Sequence, residues 1–119
     1  MKRIVVIGAS PNLARYSFVA VKMLIKAGYE VIPIGVHDGA IEKLSIVHGM
    51  PEVGEIDSVS IFLGKDKQKE YESYLLEMNP KRIIINPGAE NLNFERKAKR
   101  KGIEVKRACT IEMISARRF

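Results

Sequence analysis

The chain has one cysteine, no tryptophan and two histidines among its 119 residues. Each shortage removes a class of protein. With Cys109 alone there is no intrachain disulfide, so an oxidising compartment is not needed and a cytoplasmic setting is expected. His37 and His48 stand eleven apart with no cysteine or carboxylate at ligand spacing, which argues against a zinc site. No apolar run approaches the ~20 residues of a membrane span. Lys2 and Arg3 precede a short β-type run that ends in a glycine turn, not the apolar core and cleavage site of a signal peptide. Aromatics make up only 7%, and the densest basic run, Arg96 to Lys101, lies at helical spacing. Nucleic-acid binding would want clustered bases interleaved with exposed aromatics, so the run reads as a solvated helix face and no nucleic-acid partner is expected.

What remains is an ordinary single-domain composition, 46% hydrophobic and 29% charged, with a net charge of +6. A chain of this size buries roughly two-thirds of its unfolded surface. The positive balance suits an anionic small ligand and suits an idle surface equally well.

Short aliphatic runs rich in β-branched residues occur at Ile4–Ile7, Val31–Ile34, Val59–Phe62 and Ile83–Ile85, with a weaker one at Ile103–Val105. Such runs suit strands covered on both faces. Amphipathic helical patterns lie between them, over Ser17–Ala27, Asp66–Met78 and Asn91–Lys101, and a short last helix is expected over Ile111–Arg117. Gly28 and Gly102 stand where C′ glycines belong. Asp66 is a candidate N-cap for the second helix, and Asn91 or Asn93 for the third. The stretch from His37 to Asp57 predicts a turn or short helix, a short edge strand near Ile46–Val47, and a loop. The alternation predicts a three-layer, doubly wound α/β domain over residues 1–119, Rossmann-like, with a mostly parallel sheet of about five strands. Ligands of such sheets sit at the carboxyl ends of the strands. The candidate surface is therefore Gly8–Ser17, Pro33–Asp38, Phe62–Lys65, Asn86–Asn91 and Arg107–Thr110.

The first of these loops is the most informative. Gly8-Ala9-Ser10-Pro11-Asn12 follows a strand and precedes a helix, the usual seat of a phosphate group. A nicotinamide-dinucleotide fingerprint would read G-x-G-x-x-G with an acid closing the second strand. Here Ser10 replaces the second glycine, the third is absent, and Gly35-Val36 stands at the acid's place. The loop keeps small residues and adds hydroxyls at Ser10 and Ser17 and a cation at Arg15.

The motifs GAS with Arg15-Tyr16-Ser17, Ala27-Gly28-Tyr29-Glu30-Val31-Ile32-Pro33, Asp57-Ser58-Val59-Ser60-Ile61-Phe62, Asn86-Pro87-Gly88-Ala89-Glu90-Asn91 and Ala108-Cys109-Thr110 resemble a known family. They are similar to the small stand-alone coenzyme A-binding domain proteins, relatives of the nucleotide-binding half of the succinyl-CoA synthetase alpha subunit. The resemblance runs from about Lys2 to Phe119. It implies a coenzyme A or acyl-CoA ligand with its pyrophosphate on the first loop. Gly8, Ala9, Ser10, Arg15 and Ser17 would meet phosphate, Pro33 and Ile34 would flank the adenine, and Phe62 would border the crevice. Pro11, Asn12, Gly35, Leu63, Asn86, Pro87 and Gly88 complete the candidate binding set. Many relatives carry a hydrophobe, asparagine and proline where this chain has Ile34-Gly35-Val36, and arginine where it has Leu63. A glutamine-containing turn is common where it has Asn86-Pro87-Gly88.

The expected role is a binding or regulatory module for a nucleotide cofactor, without catalysis of its own. No nucleophile–base–orienter set is visible. Cys109 reads as a small buried hydrophobe, or as a crevice-facing thiol activated by Arg107 or a helix N-terminus near Thr110. A small NAD(P)-dependent enzyme or redox sensor is the alternative. An interaction domain with a vestigial crevice is a third reading, and a protein partner or homo-oligomer stays open.

Overall fold

Ile4, Val5, Val6 and Ile7 are at most 1% exposed, because the strand they form lies inside a sheet with helices on both faces. The computed structural model describes residues 1–119. The chain runs through β1 (Arg3–Ile7), α1 (Tyr16–Lys26), β2 (Glu30–Ile34), a hairpin of β3 (Ala40–Ile41) and β4 (Leu44–Ser45), and β5 (Ser58–Ile61). It continues with α2 (Lys65–Gln68), a 3-10 turn over Lys69–Tyr71, α3 (Glu72–Met78), β6 (Arg82–Ile85), α4 (Leu92–Arg100), β7 (Glu104–Arg107) and α5 (Thr110–Ser115). The main sheet has the order β2-β1-β5-β6-β7, and every neighbouring pair in it is parallel.

Alternation along each strand divides the core in two. Val5 and Ile7 join Val59, Ile61, Ile83 and Ile85 beneath Leu75 of α3 and Phe94 and Ala98 of α4. Ile4 and Val6 point the other way, onto Phe18, Val21 and Leu24 of α1, with Ile114 of α5 on the same side. Phe94 is fully buried, which contributes roughly 1.5–3 kcal/mol. This is the three-layer Rossmann-like arrangement that the alternation predicts, with five strands in its main sheet.

The order reverses at β1. The chain leaves β1 for β2 on one side and later returns to β5 on the other, so the loops after β1 and β5 diverge to opposite faces. A crevice opens at that point in sheets of this kind.

Several expected boundaries shift, each for a tertiary reason. The single helix expected over Asp66–Met78 is broken. Gln68 turns inward to bond backbone carbonyls at 2.7 and 2.6 Å, and the chain tightens through the 3-10 turn before α3 begins. The N-cap of α2 is Gly64, not Asp66. Asn91, not Asn93, caps α4 through its side chain. The expected edge strand near Ile46–Val47 shrinks to a single bridge between Val47 and Ile34, and the true pairing there is the β3–β4 hairpin. Pro33 is tolerated in β2 because β2 is an edge of the main sheet. The last strand starts and ends later than Ile103–Val105 and is largely exposed. The last helix begins at Thr110, whose amide is fixed by the Asn86 side chain at 2.8 Å, and stops at Ser115.

Candidate functional site

A cleft of about 1280 Å³ opens at the carboxyl ends of β1 and β5. Its walls come from the loop after β1, the loop after β2, and the segment running from β5 through α2, with Pro87 from the loop after β6.

The loop after β1 is built in two layers. The amides of Gly8 and Ala9 both donate to the Ile34 carbonyl at 2.9 Å. They tie the loop to the end of β2 and are not free for an anion. Ser10 Oγ accepts from the Asn12 amide at 3.1 Å, Asn12 Oδ1 accepts from the Ala14 amide at 2.9 Å, and the Asn12 carbonyl takes the Arg15 amide at 3.0 Å. Side chains expected to grip a ligand therefore also brace their own turn.

Beyond that turn the donors are free. Arg15 occupies the N-cap of the eleven-residue α1 and offers no side-chain cap. Its carbonyl accepts the amides of Phe18 and Val19, while those of Tyr16 and Ser17 precede the first intrahelical bond. Such orphan donors, at the positive end of a helix dipole, attract anions.

Close packing holds the loops together. A Cβ on Gly35 would lie 2.1 Å from the Ala9 carbonyl oxygen, so only glycine lets the loop after β2 pass the loop after β1. Gly8 has φ +90, and a Cβ there would meet Leu63 at 3.1 Å. Leu63 thus fills the space beside the first turn.

The charged side chains on the walls are Arg15, Lys67 and Lys69 against Asp66 and Glu70, with His37 beside them. Tyr71 also lines the cleft. Burial, then the charge of Glu70, pushes its phenol above the usual tyrosine range, so the hydroxyl keeps its proton at neutral pH.

Of the residues singled out in the sequence, Gly8, Ala9, Ser10, Pro11, Asn12, Arg15, Ser17, Gly35, Phe62, Leu63 and Pro87 all line the cleft. Four do not. Pro33 and Ile34 lie within β2, and Ile34 is fully buried. Gly88 is exposed in the outer turn, its amide donating to Glu90. Asn86 is 2% exposed. Its Nδ2 donates to Ser60 Oγ and the Ile61 carbonyl, both at 2.9 Å, and its Oδ1 accepts the Thr110 amide. Ser60 and Thr110 hydroxyls meet at 2.7 Å. Asn86 therefore joins β5, β6 and α5 beneath the surface. Tyr16, Val36, His37 and Gly64, within the strand-end segments expected to face a ligand, line the cleft too. Sequence reasoning missed Asp66, Lys67, Lys69, Glu70 and Tyr71 as cleft walls. They follow the strand end along α2 and the 3-10 turn, and strand-end reasoning stops at Lys65. Cys109 sits half-buried at the N-cap of α5 and lies outside the cleft lining.

The loop after β6 is anchored by an ion pair whose carboxylate is buried and whose guanidinium is half exposed. Glu95 is 3% exposed. Its carboxylate receives Arg107 Nε at 2.9 Å, Arg107 Nη2 at 3.1 Å and the Asn91 amide at 2.8 Å. Burial alone would raise the Glu95 pKa, but the Arg107 hydrogen bonds, the Asn91 amide and the nearby cations together hold it below the usual carboxylate range. A pKa depressed by folding contributes stability above the unfolded carboxylate pKa, lost as pH falls through the folded one. Urea titrations of the wild type are expected to show this acid loss. In Arg107→Ala the buried carboxylate keeps its desolvation cost and loses its cation. The variant is expected to be most impaired at neutral pH and to approach the wild type in acid. A gap that widens in acid would contradict the assignment.

No curated protein sequence matches the chain. A crystal structure of an uncharacterized protein is 34% identical, with a TM-score of 0.96, and the match covers 100% of this chain and 98% of that one. A cell-free-expressed protein from Thermus thermophilus is 21% identical at a TM-score of 0.85, covering 99% of this chain and 90% of that one. A conserved hypothetical protein from Pyrococcus furiosus is 24% identical at a TM-score of 0.79, covering 94% and 99%. The last two likenesses bear on the fold alone. The model of the CoA binding domain matches residues 2–114, nearly the whole length over which the strands, the first loop and the cleft have been described. The chain belongs to the CoA-binding domain family.

Proposed function

We propose that the chain binds coenzyme A or an acyl-CoA in this cleft, as a binding or regulatory module without catalysis of its own. The observation that carries the reading is the uncapped N-terminus of α1 beside Arg15, set against a loop that Gly35 alone allows to close. Family membership supports the same ligand.

The residues present fit the group. The amides of Tyr16 and Ser17, the amide of Ser10 and the Arg15 guanidinium would hold the pyrophosphate. Gly35, Val36 and His37, at the end of β2, would face the adenosine. Phe62, Leu63 and Pro87 would bound the pantetheine arm, whose thiol is the chemistry that the cofactor supplies. Gly35 occupies the place of the acid that reads a nicotinamide dinucleotide's ribose, which disfavours NAD.

Calorimetry with CoA, acetyl-CoA, dephospho-CoA, NAD and NADPH tests this. Saturable heat with CoA or its thioester, and none with the nicotinamides, is the expected result. Silence toward CoA at millimolar concentration overturns it, and NADPH binding alone would favour the redox alternative. Arg15 is exposed and forms no ion pair. Arg15→Ala is therefore expected to leave the melting temperature unchanged and to weaken CoA about tenfold, the loss of one charge-assisted phosphate contact.

A further inference from the structure

Gln68 is the last residue of α2 and is 1% exposed. Its side chain joins the β5 wall of the cleft to the loop after β6, from which Pro87 reaches the cleft. Nε2 donates to the Leu63 carbonyl at 2.7 Å on the β5 side and to the Ala89 carbonyl at 2.6 Å on the β6 side. Oε1 accepts from Asn91 Nδ2 at 3.0 Å. Both amide protons and the amide oxygen are engaged, and the reversed amide would set its oxygen against two carbonyl oxygens. Its orientation is therefore unique. Neither the Leu63 nor the Ala89 carbonyl receives a backbone donor, so Gln68 is their partner within the protein. Asn91 is itself fixed, since its amide donates to Glu95 and its Oδ1 caps Phe94.

We propose that Gln68 is a positioning residue: it holds the Leu63–Gly64 wall at a set distance from the loop that carries Pro87 and so fixes the width of the cleft. Gln68 and Tyr71, three apart, both face inward, and the 3-10 turn follows directly on Gln68. The role in ligand binding rests on the reading of the cleft as the CoA site; the brace itself does not.

Two variants and two measurements test it. Gln68→Glu places a carboxylate against two carbonyl oxygens, while its protonated form can donate to one of them. Relative to the wild type, its affinity for CoA is expected to be about tenfold weaker near pH 8 and to recover toward about pH 5. Gln68→Leu is expected to be weakened without that recovery. Hydrogen exchange in the ligand-free proteins should quicken at residues 63–67 and 88–90 in Gln68→Leu, with α1 unchanged. Wild-type exchange in both segments, or uniform acceleration along the chain, would overturn the proposal. So would unchanged relative affinity at every pH. If the wild type fails to bind CoA, the ligand reading falls, and exchange in the two segments still decides whether Gln68 is the brace.

Discussion

Gly35→Ala is expected to cost about 3 kcal/mol of stability and to abolish measurable CoA binding. The position does not have a positive φ, so alanine suits its backbone. The cost is steric. The new Cβ would stand 2.1 Å from the Ala9 carbonyl oxygen, well inside van der Waals contact, and the obstacle is backbone that cannot rotate away. Relief requires the loop after β1 to part from the end of β2. That breaks the two hydrogen bonds from Gly8 and Ala9 to Ile34 and moves the start of α1, the part of the cleft on which an anion depends. Overpacking of this kind typically costs 1–3 kcal/mol, and each lost backbone hydrogen bond adds about 1. Gly28→Ala is the matched control. Gly28 has φ +95 with nothing within 4 Å of its added Cβ, so alanine should cost only about 1 kcal/mol of backbone strain and leave CoA binding intact. Chemical denaturation and calorimetry on the pair separate the two effects. Equal losses of binding would show that the contact between loops is not what shapes the site.

Asn86→Ala is the second large effect, expected at about 3 kcal/mol in urea denaturation, or a fall in melting temperature of roughly 10 °C for a domain of this size. Three hydrogen bonds end on this side chain, and its partners Ser60 and Thr110 are fully buried. Truncation leaves the Thr110 amide without its acceptor where water does not reach, and unpaired buried groups cost more than the bond itself contributes. Since Thr110 starts α5, that helix should loosen first, read as faster hydrogen exchange over Thr110–Ser115 than over α1. A loss below about 1 kcal/mol would mean that the side chain does not join the strands to α5 in solution. Asn86 was picked out in the sequence as a ligand contact. Its place in the structure makes it a structural polar group one residue away from the cleft wall at Pro87, a difference that a strand-end argument does not resolve.

The same distinction runs through the molecule. Apolar runs such as Ile4–Ile7 determined by themselves that the strands are covered on both faces, and Gly28, Gly102 and Asn91 marked helix ends that the structure has. These are local properties: a β-branched run, a residue that tolerates positive φ, an amide oxygen that reaches back to a backbone N–H. The first loop was legible for a related reason, because strand, small residues and helix are consecutive in the chain. Tertiary structure alone decided which donors in that loop are free. Gly8 and Ala9 turn theirs toward Ile34, brought alongside only when β1 pairs with β2. It alone decided that Gly35 is a contact residue, since the Ala9 oxygen that requires it is twenty-six positions earlier in the chain. It also gave Gln68 its carbonyl partners, which belong to two different loops. Periodicity sees one helix over Asp66–Met78, because periodicity reads only neighbours in the chain. The two carbonyls that Gln68 serves, those of Leu63 and Ala89, come from loops after different strands, and no helical window on the sequence contains both.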